Sequence, residues 1–344
     1  MKIGIVNDVA MAAEALRRAV ALAPEHEIIW TARDGAEAVE NCARQTPDLV
    51  LMDLIMPGMG GVEATRRIMA ATPCMILIVT YSVHSNAARV FEAMGYGALD
   101  AVNTPALGSG DIAGGAAPLL AKIAALGKWL RPSRDYLGIA DTRRPLIKSN
   151  RSLVAIGASA GGPSALAIVL AALPKDLQAS LVVVQHVDAR FAVGMAEWLG
   201  QQSNLPVRLA KEDDPLIPGT VALAGTSDHL TLKSPDRLGY TAEPLDYAYR
   251  PSVDVFFHSL TRLWAGTAVG VLLTGMGDDG ARGLKAMRLK GHHTIAQDQA
   301  TSAVYGMPKA AAQAKAAIEI LPIGHVAPRI ADIVASRSGT RAIA

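Results

Sequence analysis

Cysteine is scarce in this chain: only Cys42 and Cys74 occur, each set in an apolar or helical stretch. Two thiols build neither a disulfide framework nor a cysteine-rich zinc site, so a reducing, cytoplasmic compartment is the natural expectation. Aromatic residues make up only 4%, and the apolar excess is largely alanine, as expected of alanine-rich helices packed on aliphatic strands. Net charge is lacking too. Lys and Arg total 33 against 31 Asp and Glu, which leaves +2 and no general attraction for nucleic acid or an anionic membrane. No apolar run reaches the ~18 residues of a membrane span. The N-terminus enters a strand pattern directly, without the charged region and apolar core of a signal peptide. Neither a helix-turn-helix nor a basic stripe is present, which disfavours DNA binding.

What remains is core-forming material. Hydrophobic residues reach 51% against 19% charged, over 344 positions, enough for two ordinary domains and too apolar for global disorder. From 1 to 105 a short apolar strand alternates five times with a helix. The strands read 2–6, 27–31, 49–52, 76–80 and 98–102, and the helices 11–22, 35–45, 62–71 and 86–94. Strands apolar at consecutive positions are buried on both faces, which predicts a doubly wound parallel sheet. From 106 to 150 the pattern breaks into Gly-, Pro- and Ser-rich and then basic stretches around one helix at 118–130, which reads as a linker. Strand–helix alternation resumes at 151 and runs to 338, with clear strands at 153–157, 181–185 and 268–274. The expected fold is therefore α/β, with two doubly wound parallel-sheet domains.

In such a sheet the residues just past each strand converge on one crevice. In the first domain these are Asn7 and Asp8, Asp53, Thr80, and Asn103 and Thr104. Two carboxylates meeting there invite a hard cation such as Mg²⁺, and a carboxylate beside that ion can attack a phosphoryl group. The bland alternative is that Asp8 caps a helix and Asp53 merely ends a strand. Spacing alone leaves both open.

The strings IVND, LMDLIMPGMGG and IVT resemble a two-component receiver domain, of flavodoxin-like fold, over all of 1–105. That resemblance implies Asp53 as phosphoacceptor and Thr80 as switch hydroxyl. It also implies a Mg²⁺ site from Asp8, Asp53 and the backbone carbonyl of Ile55. Two positions depart from the receiver pattern: Asn7 replaces one of two acids, and Thr104 replaces a lysine that would pair with the phosphoryl oxygens.

In the second domain GASAGGPSAL puts Ser159 between a strand and a helix, in a G-x-S-x-G setting. Small neighbours there permit a tight turn and an oxyanion site at the helix N-terminus, although a plain helix cap is the competing reading. His186 ends the next strand, where a satisfied core histidine is the alternative. LLTGMGDDGARG adds Asp278 and Asp279 at a third strand end. An acid at that edge orients a histidine that takes a proton from serine. Taken jointly, three strand ends supplying Ser, His and Asp point to hydrolysis. The chain order Ser–His–Asp differs from that of α/β-hydrolases.

VAIGASAGGP, VVVQH, PSVDVFFHSL, LLTGMGDDGARG and TIAQDQATSAVYGMPKAA together resemble the catalytic domain of chemotaxis-type protein-glutamate methylesterases, the CheB family. The resemblance implies Ser159 as nucleophile, His186 as general base, Asp279 as orienting acid and the Met276 backbone N–H as oxyanion donor, with no cofactor in the esterase site. It implies ester hydrolysis, with glutamine deamidation open to the same triad, on methyl-accepting chemotaxis receptors. A chemosensory histidine kinase would be the phosphodonor, and association with receptor arrays would be peripheral, without membrane insertion. Asn7, Thr104 and DAVNTPALG are similar to the Wsp-type branch of an alternative chemosensory pathway.

Two rival classes stand beside this one. A nicotinamide-dependent reductase would use GASAGG and the Tyr305–Lys309 spacing. However, Pro163 falls where its third glycine belongs, no ribose-binding acid follows residues 181–185, and Gly306 and Pro308 break the helix it needs. A non-catalytic phospho-accepting adaptor is the other. His229 is expected to be structural, at the border of a groove, and His292 and His293 lack companion metal ligands.

Overall fold

The computed structural model describes residues 1–83, 85–105, 112–128, 151–245, 247 and 249–338. The chain divides into two compact units, Met1–Ser133 and Arg134–Ala344.

The first unit runs β1 (Lys2–Val6), α1 (Ala10–Ala21), β2 (Glu27–Ala32), α2 (Gly35–Arg44), β3 (Leu49–Met52), α3 (Gly61–Ala71), β4 (Met75–Thr80), α4 (Ala87–Gly95), β5 (Asp100–Asn103) and α5 (Ile112–Lys128). Its strands form one sheet in the order β2-β1-β3-β4-β5, every pair parallel. All residues of β3 and β4 are buried, as the unbroken apolar runs require of strands covered on both faces. Asp34 caps α2 by accepting the amides of Ala36 and Glu37, while Glu37 returns to the Arg33 amide. That reciprocal pairing satisfies donors the helix itself leaves open.

Two expectations change here. The fifth strand begins at Asp100 instead of 98, because the Ala98 amide still closes the turn after α4 on the Ala93 carbonyl. The helix expected at 118–130 inside a linker instead spans Ile112–Lys128 and packs on α1 and β5 as part of the first unit. Ala116, Leu119, Ile123 and Leu126 are buried along one face, and Lys122 pairs with Asp100 of β5. Burial of that stripe outweighs Gly114, Gly115 and an internal Pro118, each a helix-weakening residue taken alone. The basic stretch at 131–150 lies outside the described residues.

The second unit opens with β6 (Ser152–Ala158), α6 (Gly162–Ala172), β7 (Ser180–Gln185), α7 (Ala189–Gln202), β8 (Val207–Leu209), β9 (Asp214–Pro215), β10 (Val221–Leu223), β11 (His229–Ser234) and β12 (Arg237–Thr241). It continues with α8 (Val253–Leu263), β13 (Thr267–Leu272), α9 (Ala281–Leu289), β14 (His293–Gln297), α10 (Met307–Gln313), β15 (Glu319–Leu321) and α11 (Ile323–Ser338). Seven strands make a parallel sheet in the order β15-β14-β13-β6-β7-β10-β8. The order reverses between β13 and β6, the switch point where such sheets open a crevice.

A separate three-stranded antiparallel sheet, β11-β12-β9, is an addition to the expected plan. Its Leu230, Leu232 and Leu238 join Phe256 and Leu260 of α8 in the core, and the Leu232 amide donates to Ser259 Oγ at 2.9 Å. At ~1.5–3 kcal/mol per fully buried large side chain, this packing fixes α8, whose N-terminus faces the catalytic edge. No helix among the described residues is long and apolar enough to cross a membrane.

Candidate active site

Ser159 follows β6 directly, and its carbonyl accepts the Gly162 amide at 2.8 Å, which closes the turn into α6. Gly161, at the N-cap of α6, has φ of 78°, a left-handed conformation that glycine adopts without the Cβ penalty. The Ser159 amide donates to the Thr274 carbonyl at 3.0 Å. Gln185 Nε2 donates to the Ser159 carbonyl at 2.9 Å and to that of His186 at 3.2 Å. The serine backbone is thus tied to both strands that flank β6. Its Oγ is buried, with no hydrogen-bond partner among the described residues. A hydroxyl kept in that state costs free energy, which makes a plain structural cap a poor account of it.

Gly275 lies against this serine. A Cβ placed on it would approach Met307 Sδ to 2.1 Å and Ser159 Cβ to 2.8 Å. Met276 follows at once and is half-buried. Only a residue without a side chain lets the strand end carrying Met276 come this close to Ser159.

His186 extends β7, its amide on the Ala158 carbonyl at 3.1 Å. Its Nε2 lies 2.8 Å from Asp279 Oδ2. Asp279 is completely buried and accepts three further hydrogen bonds, from Val253 N at 2.7 Å, Ser252 Oγ at 2.8 Å and Asp254 N at 3.0 Å. Burial alone would push this carboxyl up. His186, together with the amides at the start of α8, holds it below the ordinary carboxylate value instead. An ionised Asp279 is an acceptor only, so Nε2 carries the proton that faces it.

The structure therefore brings Ser159, His186 and Asp279 to one sheet edge, at the ends of three adjacent strands. Asp278 is half-buried and makes none of these contacts to His186. Sequence reasoning misses Tyr249, which stacks on His186 with ring centroids 4.9 Å apart and planes 15° from parallel. Its hydroxyl accepts the Asp278 amide, and burial pushes that phenol up. Ser252 and Asp254 are missed as well, although both sit in the string PSVD. Asp254 is buried, and burial together with the Asp279 charge raises its carboxyl to about 7. The Gly283 amide, Arg282 and the Tyr247 hydroxyl bind it and partly offset that rise.

In the first unit Asp53 is half-buried just past β3, and Asp8 is exposed past β1. Burial raises the Asp53 carboxyl, and the Asp8 charge adds to this, against the amides of Ile55 and Leu54. Asn7 Nδ2 donates to Asp53 Oδ2 at 3.2 Å, while Asn7 Oδ1 accepts the Val9 amide. Thr80 Oγ1 accepts from Asn86 Nδ2 at 3.0 Å, and the Thr80 carbonyl accepts the Thr104 amide at 2.9 Å. The Asp8 and Asp53 carboxylates are close enough to interact, and oxygen donors of this kind suit a small hard cation that keeps several waters. No cluster of three His, Cys, Asp or Glu able to hold a metal occurs among the described residues.

Comparison with known proteins finds a family match for each half of the chain. The CheB methylesterase family matches residues 154–330 and the response regulator receiver domain matches residues 3–107. The chain is 60% identical to protein-glutamate methylesterase/protein-glutamine glutaminase 3 of Pseudomonas aeruginosa, over 97% of this chain and 99% of that protein. It is 59% identical to the protein of the same name from the group 3 operon of Pseudomonas putida, over 97% of this chain and 100% of that one. The crystal structure of the Thermotoga maritima CheB methylesterase catalytic domain superposes with a TM-score of 0.52 at 31% identity, covering 53% of this chain and 98% of that one. The chain belongs to the CheB methylesterase family and carries an N-terminal response regulator receiver domain. Receiver domains bind Mg²⁺ for phosphorylation.

Proposed function

We propose that this chain hydrolyses γ-glutamyl methyl esters on methyl-accepting chemotaxis receptors, with Ser159 as nucleophile, His186 as general base and Asp279 as orienting acid. The observation that carries the reading is the buried Asp279–His186 pair at 2.8 Å on the same strand-end edge as Ser159. Ser159 Oγ attacks the ester carbonyl as the imidazole takes its proton, and the Met276 N–H and the start of α6 face the developing oxyanion. The imidazolium, stabilised by Asp279, returns the proton to methoxide, and methanol leaves. Water, deprotonated by the same imidazole, then cleaves the acyl-enzyme to the glutamate carboxylate and free serine. Glutamine reaches the same acyl-enzyme with ammonia as leaving group. No cofactor enters this cycle.

Control is assigned to Asp53, phosphorylated by a chemosensory histidine kinase. Asp8, Asp53 and the Ile55 carbonyl would hold Mg²⁺, which when bound offsets charge on the phosphoryl oxygens. Thr80 is the switch hydroxyl. Asn7 and Thr104 support assignment to the Wsp-type branch. The enzyme works in the cytoplasm, peripherally associated with receptor arrays and not inserted in the membrane.

The test is methanol release from methylated receptor membranes by wild type, Ser159→Ala and Asp53→Ala, with and without kinase and ATP. Release that requires Ser159 and rises only with Asp53 intact is the expected result. Release indifferent to Asp53 removes the phospho-switch. No release from competent receptors removes the enzyme and leaves an adaptor.

A further inference from the structure

We propose that Ser252 and His229 are positioning residues of the catalytic site, extending the Asp279–His186 pair into a four-residue relay that fixes the rotation of the Asp279 carboxylate. The inference rests on Asp279 as the orienting acid. Oδ2 of that carboxylate faces His186 and accepts the Val253 amide at 2.7 Å, so the rotation of the group about its own axis is completed by what holds Oδ1. Oδ1 is bound by Ser252 Oγ at 2.8 Å and Asp254 N at 3.0 Å.

The polarity of each step is determined. Ser252 Oγ accepts the Val255 amide at 3.2 Å, and Asp279 only accepts, so the single hydroxyl proton points to Asp279. The Ser252 amide donates to His229 Nδ1 at 3.1 Å, and His229 Nε2 lies 3.1 Å from the Pro244 carbonyl. Nδ1 is thus the acceptor, and Nε2–H donates to Pro244. This is one tautomer of a neutral, fully buried ring, and burial holds His229 below its ordinary value. The Pro244 carbonyl, His229, Ser252, Asp279 and His186 form one continuous hydrogen-bonded line.

A plain N-cap would use only the acceptor capacity of Ser252. Here the cap bond to Val255 leaves the donor over, and that donor goes to the buried carboxylate. Hydrogen bonds to charged groups are about twice as strong as neutral ones. Their loss inside a catalytic pair shows in the rate as well as in folding.

The experiment compares the full chain with Ser252→Ala, Ser252→Thr, Ser252→Cys and His229→Leu. Methanol release is measured alongside the far-downfield NMR signal of the His186 Nε2 proton. We expect Ser252→Ala to lower kcat roughly 10-fold with KM little changed and to move the downfield signal. Ser252→Thr keeps donor and acceptor and restores both. Ser252→Cys, similar in size with a weak donor, falls between and serves if the alanine variant does not fold. His229→Leu removes the acceptor toward the Ser252 amide and is expected to lower kcat and move the signal in the same direction as Ser252→Ala. A lower melting temperature with unchanged kcat and an unmoved signal makes Ser252 a cap alone and overturns the relay. A wild-type chain without Ser159-dependent release, yet with a downfield proton that responds to Ser252, overturns the esterase reading and leaves the relay standing.

Discussion

Tyr249 lies flat on His186, and its hydroxyl holds the Asp278 amide beside the triad acid. One side chain thus braces the imidazole and the glycine-rich turn together. Stacked rings contribute about 0.5–1.5 kcal/mol beyond their area, so Tyr249→Ala is expected to lower kcat about 3- to 10-fold. Tyr249→Phe keeps the ring, gives up only the Asp278 bond and loses less. Initial rates of methanol release, with near-ultraviolet circular dichroism as the control for folding, decide it. Equal losses in both variants would make the hydroxyl the working part.

Gly275 gives a steric test. Its added Cβ would overlap Met307 Sδ and press on Ser159, so Gly275→Ala is expected to cost about 1–3 kcal/mol of stability. Displacing the nucleophile by about 1 Å costs on the order of 100-fold in kcat. Gly324→Ala is the control. It lies in α11, where a Cβ meets nothing within 4 Å, and it is expected to leave activity unchanged and to raise stability by roughly 0.5–1 kcal/mol. Urea denaturation and rates on the two variants separate steric displacement from a general dislike of substitution.

Asp254 predicts a pH effect of defined sign. Its carboxyl is raised to about 7 in the folded chain, by burial first and then by Asp279. Between the unfolded carboxylate value and about 7 the folded state holds a proton that the unfolded state has lost, so this group lowers stability as pH rises through that window. Asp254→Asn removes the dependence. The mutant-minus-wild-type difference in urea midpoint should therefore become more favourable to the mutant between pH 5 and pH 8. His229, His258 and His292, each lowered by burial, act alike in both proteins and cancel in the difference. A difference that stays level with pH would show that Asp254 is ionised throughout.

The receiver pocket tests the reading of Asn7. Restoring an acid with Asn7→Asp adds a third carboxylate to Asp8 and Asp53 and removes the amide hydrogen bond to Asp53. Even at the dielectric of bulk water, a unit charge ~6 Å from a divalent ion is worth about 1.4 kcal/mol, which predicts about tenfold tighter Mg²⁺ binding. Calorimetric titration of the full chain with Mg²⁺ measures it. An unchanged affinity would mean that position 7 does not face the ion.

Legibility from sequence followed periodicity. Ser159 and His186 each follow a strand whose apolar run is visible, Asp279 follows a third after a glycine-rich turn, and topology gathers such ends at one edge. Asp8 and Asp53 lie just past strands of the first sheet, and Thr80 ends one, for the same reason. Tyr249, Ser252 and Asp254 were not legible, because they lie in an irregular loop and the first turn of α8, where no period says which way a side chain points. Short strands between 206 and 232 are legible from the turns that punctuate them, but their pairing with 237–241 into a separate antiparallel sheet is not, since no period says which of them join. α5 was misread because Gly114, Gly115 and Pro118 speak locally for a linker, whereas the buried face of Ala116, Leu119, Ile123 and Leu126 is known only once α1 and β5 stand opposite it.

The proposed nucleophile, base and acid follow three strands hydrogen-bonded side by side in the middle of a seven-stranded sheet. Catalysis here is an all-or-none witness of the native state. The edge where the chemistry happens is also the part of the second unit with the least freedom to open, since its central strands part only when the whole unit does. Activity should therefore survive fraying at β15 or β8 and then vanish in a single step with the sheet itself.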